Sequence, residues 1–581
     1  MLKARKIIEN IAKYFILIVW GSMILYLTLL SMLGTCGRSK RNFAPQGEEP
    51  RYGSYVHYLP DDVLLHLILL LCFILVIYTS IYVWKKINTK LRNHGNIVTG
   101  LLIVLGIIEI VTVFSTKIYP TSDPLKLQLI AEQMLQGDFQ AFEKGEYMYR
   151  YPFQSGYLLL IYYVIRCFGD NGYLVLQLIN VAADIIICYS IYKITELIWK
   201  KEYIGILIAE TIFLPLRLNV LYVYGNMLGY SAAILAVYLE LKYFKEKKNI
   251  YGFLSAVSIT MGIIWKSNAL IFLCGMILFA LYQLICKGER KRGILFIGIT
   301  ICIYLLGNKM LSHKMEAMTG EPLSKGMPKT AWVVMGLEDC EAAPGYYSGS
   351  SVELYGKNDC DYERTNRAAV EIIKKYMKGF LNDWESGVDF FGRKIASQWN
   401  EPTFQALVGK NPSAQSGEWF YKLTHDKGSY IFMDIMNTFQ TWVYFGGCLY
   451  VLFRWKKCTI EELILPVIII GGFIFQLFWE GKSQYIMFFF FLMVPYAAYG
   501  YYLTVEWIEK VCVALKERSI DRKKIIIVCG SLTAVIFICC TLKSRIMESK
   551  VFQYTIGVQD REDVVEAYEE KRSIIMEGKQ E

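Results

Sequence analysis

Residues 119–154 read YPTSDPLKLQLIAEQMLQGDFQAFEKGEYMYRYPFQ. A long apolar run ends just before this stretch and others follow it, so it is a polar loop between hydrophobic segments. Asp123 sits within a few residues of the end of the preceding run, and Pro120 and Pro124 stiffen the turn around it. Downstream, Leu127, Ile130, Ala131 and Met134 share one face of a helix that Gly137 can end. Such a helix lies flat at a membrane interface, or forms the core of a cap above it. A carboxylate at this boundary reaches a lipid-borne and a water-borne reactant together, which makes Asp123 a candidate general base. An Asx turn or helix cap is the plainer alternative.

The apolar runs set the class. The chain has 581 residues, 54% of them hydrophobic and only 20% charged, a balance that excludes an ordinary soluble domain. Stretches of roughly 17–25 apolar residues recur, each long enough to span a bilayer. The expected fold is therefore an all-α polytopic membrane protein. The net charge of +10 gathers in connectors between runs, where membrane topology explains it and nucleic acid is not needed. Most of the 15 Cys lie inside apolar runs and read as small core residues.

Spans are expected at 14–33, 63–84, 97–116, 173–192, 204–222, 227–244, 251–265, 269–285, 293–311, 430–453, 460–478, 485–507 and 525–542, about thirteen in all. Basic connectors such as 85–92, 245–248, 287–292, 454–457 and 510–524 then face the cytoplasm, and Asp123 faces out. Residues 155–168 are too short to cross and read as a non-spanning helix on the outer face. The expected organisation is a transmembrane bundle over 1–311 that includes the loop 117–154, an α-rich outer domain over 312–429, further spans over 430–542, and a charged outer tail over 543–581. Cys340 and Cys360 both fall in the outer domain, where a disulfide or two separate thiols would fit. The N-terminal run has no small-residue cleavage site and reads as a retained anchor.

Other polar residues sit at the same boundary. The connector 479–485 reads WEGKSQY: Lys482 can meet a phosphate, Glu480 can orient that cation or bind a sugar, and Tyr485 can bind a sugar, a solvated hairpin turn being the plainer alternative. WKSN at 265–268 supplies Lys266, a second cation on the side where cations are scarce, suited to a phosphate or to an anionic lipid headgroup. Arg217 and the YVYGN stretch ending at Asn226 add polar groups. Glu146 and Arg150, set among aromatic residues, suit sugar binding or an ordinary interfacial loop. Glu109, Asp184 and Glu210 lie inside expected spans and receive no role. His is scarce and no paired-acid or Cys/His spacing marks a metal site, so neither metal nor other cofactor is expected.

Together these features resemble the GT-C superfamily of polytopic glycosyltransferases, and within it the bacterial family-39-like branch related to protein mannosyltransferases. The likeness rests on YPTSDP with Asp123, on Tyr151-Pro152 followed by the short run 155–168, and on EGKSQY at 480–485. It also rests on PKTAWVVMGL at 328–337 and KIASQWNEPTF at 394–404. Gln484 stands where the related pattern has arginine and brings no charge to a phosphate. The second acid of some members has no counterpart here. The resemblance implies a GT-C-like bundle that moves a sugar from a polyprenyl-phosphate-linked donor to an extracytoplasmic acceptor, a cell-wall glycan, lipid or protein, with inversion and no metal. In that scheme Asp123 is the base, and Lys266, Lys482 and Arg217 hold the donor phosphate. Glu146, Arg150, Glu480, Tyr485 and Asn226 contact sugar or acceptor. The protein is expected in the plasma membrane with its site on the extracytoplasmic face. A flippase or transporter of lipid-linked saccharides, a polysaccharide polymerase and an inactive scaffold are the rival classes. A transporter would favour two related halves with mid-membrane charges, and no internal repeat is visible.

Overall fold

A backbone surrounded by hydrocarbon can hydrogen-bond only to itself, so apolar runs fold as helices. The computed structural model describes residues 2–40, 54–88, 94–118, 120–200, 203–340, 342–407, 417–425 and 427–516. Among them, eight helical stretches are long and apolar enough to cross a membrane: Lys3–Leu33, Val63–Ile81, Gly95–Thr116, Pro152–Trp199, Ser267–Lys287, Arg290–Thr319, Glu461–Phe478 and Met487–Val513. The helices Asn226–Glu246, Asn249–Trp265 and Lys427–Arg454 occupy three further expected spans but fall short in length or apolarity. Leu64, Leu71, Ile107, Val111, Leu305 and Leu306 stay exposed on the bundle surface, as lipid-facing side chains do. The chain is thus an all-α polytopic membrane protein. The expected span at 525–542 and the tail at 543–581 lie outside the described residues.

Not every expected span is a single helix. Residues 204–222 divide into Ile204–Thr211 and Leu214–Asn219, and then run non-helically to Gly225. Pro215 has no N–H for an interior turn and sits where proline is tolerated, at the start of the second piece. The freed carbonyls are taken by the neighbouring helix Gly172–Trp199. Asn180 donates to the carbonyls of Val220 and Tyr222 at 3.1 and 3.3 Å, while Gln177 and Tyr173 each donate to that of Leu221 at 3.2 Å. Irregular backbone survives in a bundle because protein side chains satisfy it.

The short run forms the helix Ser155–Phe168, which ends at Gly169 with φ +55°. Without that left-handed break, 48 continuous helical residues would make a rod of about 70 Å, more than twice a bilayer core. Its Leu158, Ile161 and Ile165 pack on Leu127, Ile130, Ala131 and Met134 of the helix Ser122–Leu135, so the predicted apolar face of the loop helix is buried against it.

Residues past 312 form an inserted domain of short helices: Lys329–Gly336, Ser350–Lys357, Tyr362–Asn382, Trp384–Trp399 and Glu418–His425. The helix Arg290–Thr319 runs through the expected boundary at 311. The polar segment after the first helix holds strands the sequence reading took as loop. Gly34–Lys40 pairs antiparallel with Ser54–Pro60. Cys36 N–H donates to the Asn400 carbonyl at 2.9 Å, and Asn400 Nδ2 donates to the Gly34 carbonyl at 2.6 Å, tying this hairpin to the inserted domain. Cys340 and Cys360 are separate free thiols packed in different clusters, which settles the two alternatives left by the sequence.

Close helix contact fixes the end of Asn249–Trp265. A Cβ on Gly262 would fall 2.8 Å from the Gly229 carbonyl oxygen, and one on Gly229 would collide with the stem of Lys266. The two glycines let the helices touch backbone to backbone. Gly229→Val is therefore expected to destabilise the protein by ~1–3 kcal/mol through overpacking and to displace Lys266; thermal unfolding in detergent measures the first effect.

Candidate functional site

Two helix ends and one connector come together at the candidate site. Asp123 lies in the first turn of Ser122–Leu135, where the helix dipole favours a carboxylate. It is exposed. The Tyr147 hydroxyl donates to Asp123 Oδ1 at 3.1 Å, and Gln154 Nε2 donates to the Tyr147 oxygen at 2.9 Å. Burial, reinforced by the Asp123 charge, pushes the Tyr147 phenol well above its usual range, so it remains a donor. One carboxylate oxygen is oriented by Tyr147. For Oδ2 no hydrogen-bond partner occurs among the described residues.

Lys266 follows the last turn of Asn249–Trp265. Its ammonium lies 4.5 Å from the Tyr224 ring and 5.8 Å from the Tyr485 ring, and no carboxylate pairs with it among the described residues. Burial draws it down to about 8, and Lys482 adds to that against the pull of Asp123 and Glu480. Lys482 differs. Burial also acts to lower it, but Glu480, Tyr346 and Asp123 hold it above its ordinary value. Its Nζ is 2.6 Å from Glu480 Oε1, and the Tyr485 hydroxyl donates to Glu480 Oε2 at 3.1 Å. The Asp123 charge acts on Lys266, Lys482, Tyr222, Tyr224 and Tyr485. Carboxylate and ammonium groups far apart in sequence therefore lie within electrostatic reach of one another.

The remaining predicted residues divide. Glu480 and Tyr485 belong to this group. Arg150 stands beside it, its guanidinium 5.9 Å from the Tyr151 ring and its Nε donating to the Glu146 carbonyl at 3.4 Å. Glu146 caps that turn and is exposed. Asn226 is buried at the start of Asn226–Glu246, and no hydrogen bond joins it to Asp123 or either lysine among the described residues. Arg217 does not join the group. Its guanidinium is buried in the bundle, paired with Asp184 and, at 3.3 Å, with Glu109. Two buried carboxylates need a cation, and this pairing sets Arg217 apart from the two lysines expected with it at a donor phosphate. The intramembrane acids Glu109 and Asp184 thereby find their partner. Glu109, Arg217 and Leu218 also line an apolar cavity of about 1140 Å³.

Sequence reasoning missed what holds the connector. Lys394, fully buried on Trp384–Trp399, donates to the Gly336 carbonyl and, at 2.8 Å, to that of Trp479. Burial lowers its ammonium to about 7, against the pull of Glu480 and Cys340. Gly481 N–H donates to the Gly345 carbonyl at 2.6 Å. Ser483 Oγ donates to Glu401 Oε2 at 2.5 Å, and Trp479 stacks on Trp332 with centroids 5.7 Å apart. In sequence Lys394 looks like any lysine on an amphipathic helix; only tertiary packing distinguishes it.

No protein-family model matches the chain, and no curated protein matches it either. Its fold is similar to solved membrane enzymes. Against the oligosaccharyltransferase of Archaeoglobus fulgidus in the apo form the TM-score is 0.41 at 11% identity, covering 84% of this chain and 60% of that one. The same enzyme tethered to an acceptor peptide containing the NVT sequon gives 0.41 and 11%, with 82% and 59% covered. ArnT from Cupriavidus metallidurans, bound to undecaprenyl phosphate, gives 0.39 and 10%, with 79% and 74% covered. The chain thus spans about 60% of the archaeal enzyme's length.

Arg217→Leu is expected to cost ~3–5 kcal/mol by leaving buried carboxylates without their cation; thermal unfolding in detergent measures the loss.

Proposed function

We propose that this chain is a GT-C-type membrane glycosyltransferase that takes a sugar from a polyprenyl-phosphate carrier and passes it, with inversion, to an extracytoplasmic acceptor. One observation carries the reading: Asp123, Lys266 and the Glu480–Lys482 pair, hundreds of residues apart, share one electrostatic neighbourhood at one end of the bundle. That is the arrangement this chemistry requires. The acceptor hydroxyl oxygen attacks the anomeric carbon while Asp123 takes its proton. The bond from that carbon to the phosphate oxygen breaks, and its electron pair leaves with the polyprenyl phosphate. Lys266 and Lys482 face the charge that grows on this leaving group. Tyr147, held by Gln154, keeps the Asp123 carboxylate aimed. The plasma membrane and an extracytoplasmic site belong to the same proposal, on the charge bias of the connectors. A cell-wall glycan, a lipid and a protein all remain acceptor classes.

Asp123→Asn is expected to lower transfer from a polyprenyl-phosphate sugar roughly 10²–10⁴-fold with donor binding retained, measured in purified protein. Transfer at the native rate would remove Asp123 as base. Lipid movement without any transfer would favour a flippase.

The low-lying Lys266 adds a pH dependence. Raising pH through about 8 removes its proton in the free protein, so one cation of the phosphate site is lost and donor KM rises. Below that pH the ammonium is charged and KM is flat. Lys266→Gln should raise KM at neutral pH and abolish this alkaline limb in a KM–pH profile.

A further inference from the structure

The inserted domain offers the site a surface that the transfer chemistry above does not use. The turn after Pro344 carries Tyr346, buried, and Tyr347, 50% exposed. Both rings lie over the Lys482 ammonium, at 5.6 and 5.1 Å. The turn is pinned on both sides. Gly345 and Gly349 take φ +69° and +80°, conformations suited to glycine. Ser348 and Ser350 both donate to Glu338 Oε2 at 2.6 Å, and the Gly345 carbonyl accepts from Gly481. An aromatic side chain left half-exposed on so constrained a turn gains no stability from its open face. Tyr151 lies within reach of the Asp123 and Glu480 charges and packs on Trp332 at 5.9 Å, while Tyr224 and Tyr485 stand by Lys266, so aromatic residues flank the two lysines.

Resting on the transferase reading, we propose that Tyr347 is the platform for the donor's sugar ring, which lies on its open π-face while Lys482 holds the attached phosphate. The phosphate and its sugar are one bond apart, so a ring beside Lys482 is placed for the sugar. The weakly positive C–H face of a pyranose or furanose complements the negative face of an aromatic ring. The polar edge of that sugar would then turn toward Glu480 and Arg150.

The test measures binding of two probes to the full chain in nanodiscs: sugar-free polyprenyl phosphate, and polyprenyl phosphate bearing glucose, mannose or arabinose. Native protein should prefer one sugar-bearing lipid. Tyr347→Leu should weaken that lipid ~10-fold, leave the sugar-free lipid within two-fold, and raise donor KM with little change in kcat. Tyr347→Phe should behave as native. Equal weakening of both lipids would mean that the ring acts only through Lys482, and would overturn the proposal, as would an unchanged preference in Tyr347→Leu. If native protein bound neither lipid, the transferase reading itself would fall and take this inference with it. Native binding of the sugar-free lipid without preference overturns this inference alone.

Discussion

The Lys394 ammonium is the tie on which the candidate site depends. A lysine fully removed from water costs several kcal/mol unless its charge is met, and here it is met by two main-chain carbonyls from different parts of the chain. One belongs to Gly336 in the inserted domain and the other to Trp479 at the start of the connector. The contact works only because the backbones come unusually close. A Cβ on Gly336 would collide with the carbonyl of Phe478, and one on Gly345 would meet Lys394 itself at 2.6 Å. Glu480 and Lys482 therefore project from a connector whose position is set by the inserted domain. The domain is thus a support of the candidate site.

Two groups of cations and acids in this molecule have different settings. Arg217, Asp184 and Glu109 are buried together in the bundle and pair with one another. Lys266 has aromatic neighbours but no carboxylate partner among the described residues, and Lys482 shares Glu480 with Tyr485. A closed ion pair has little left to offer a ligand, whereas a cation faced mainly by ring quadrupoles keeps its hydrogen-bonding directions. The neighbours of each cation, not its residue type, set Arg217 apart from Lys266.

This sorting marks the limit of what the sequence could tell. Apolar run length reports on burial in lipid directly, so the membrane-spanning class and most helix positions were legible. The face formed by Leu127, Ile130, Ala131 and Met134 was legible for a similar reason, since helical period exposes it. The break at 204–222 was not. Its signal, Pro215, is also compatible with a kinked span, and the side chains that rescue its carbonyls lie on another helix. Nothing local in the sequence reveals that Asp184 and Glu109 face Arg217. Lys394 and Tyr347 were missed because their meaning comes from partners 85 and 135 residues away. The strands at 34–40 and 54–60 were hidden in a polar segment without a clear alternating pattern.

The docking of the first hairpin on Asn400 bears on biosynthesis. Cys36 and Gly34 leave the ribosome early but find their partner only when residue 400 has been made. Lys394 waits longer still, for the Trp479 carbonyl. At ordinary elongation rates the delay between Asp123 and Lys482 is on the order of tens of seconds. During that interval the nascent polypeptide displays the carboxylate without the connector's cation. A product released prematurely before position 479 would hold a half-assembled centre, so competence arrives with the closing portion of translation.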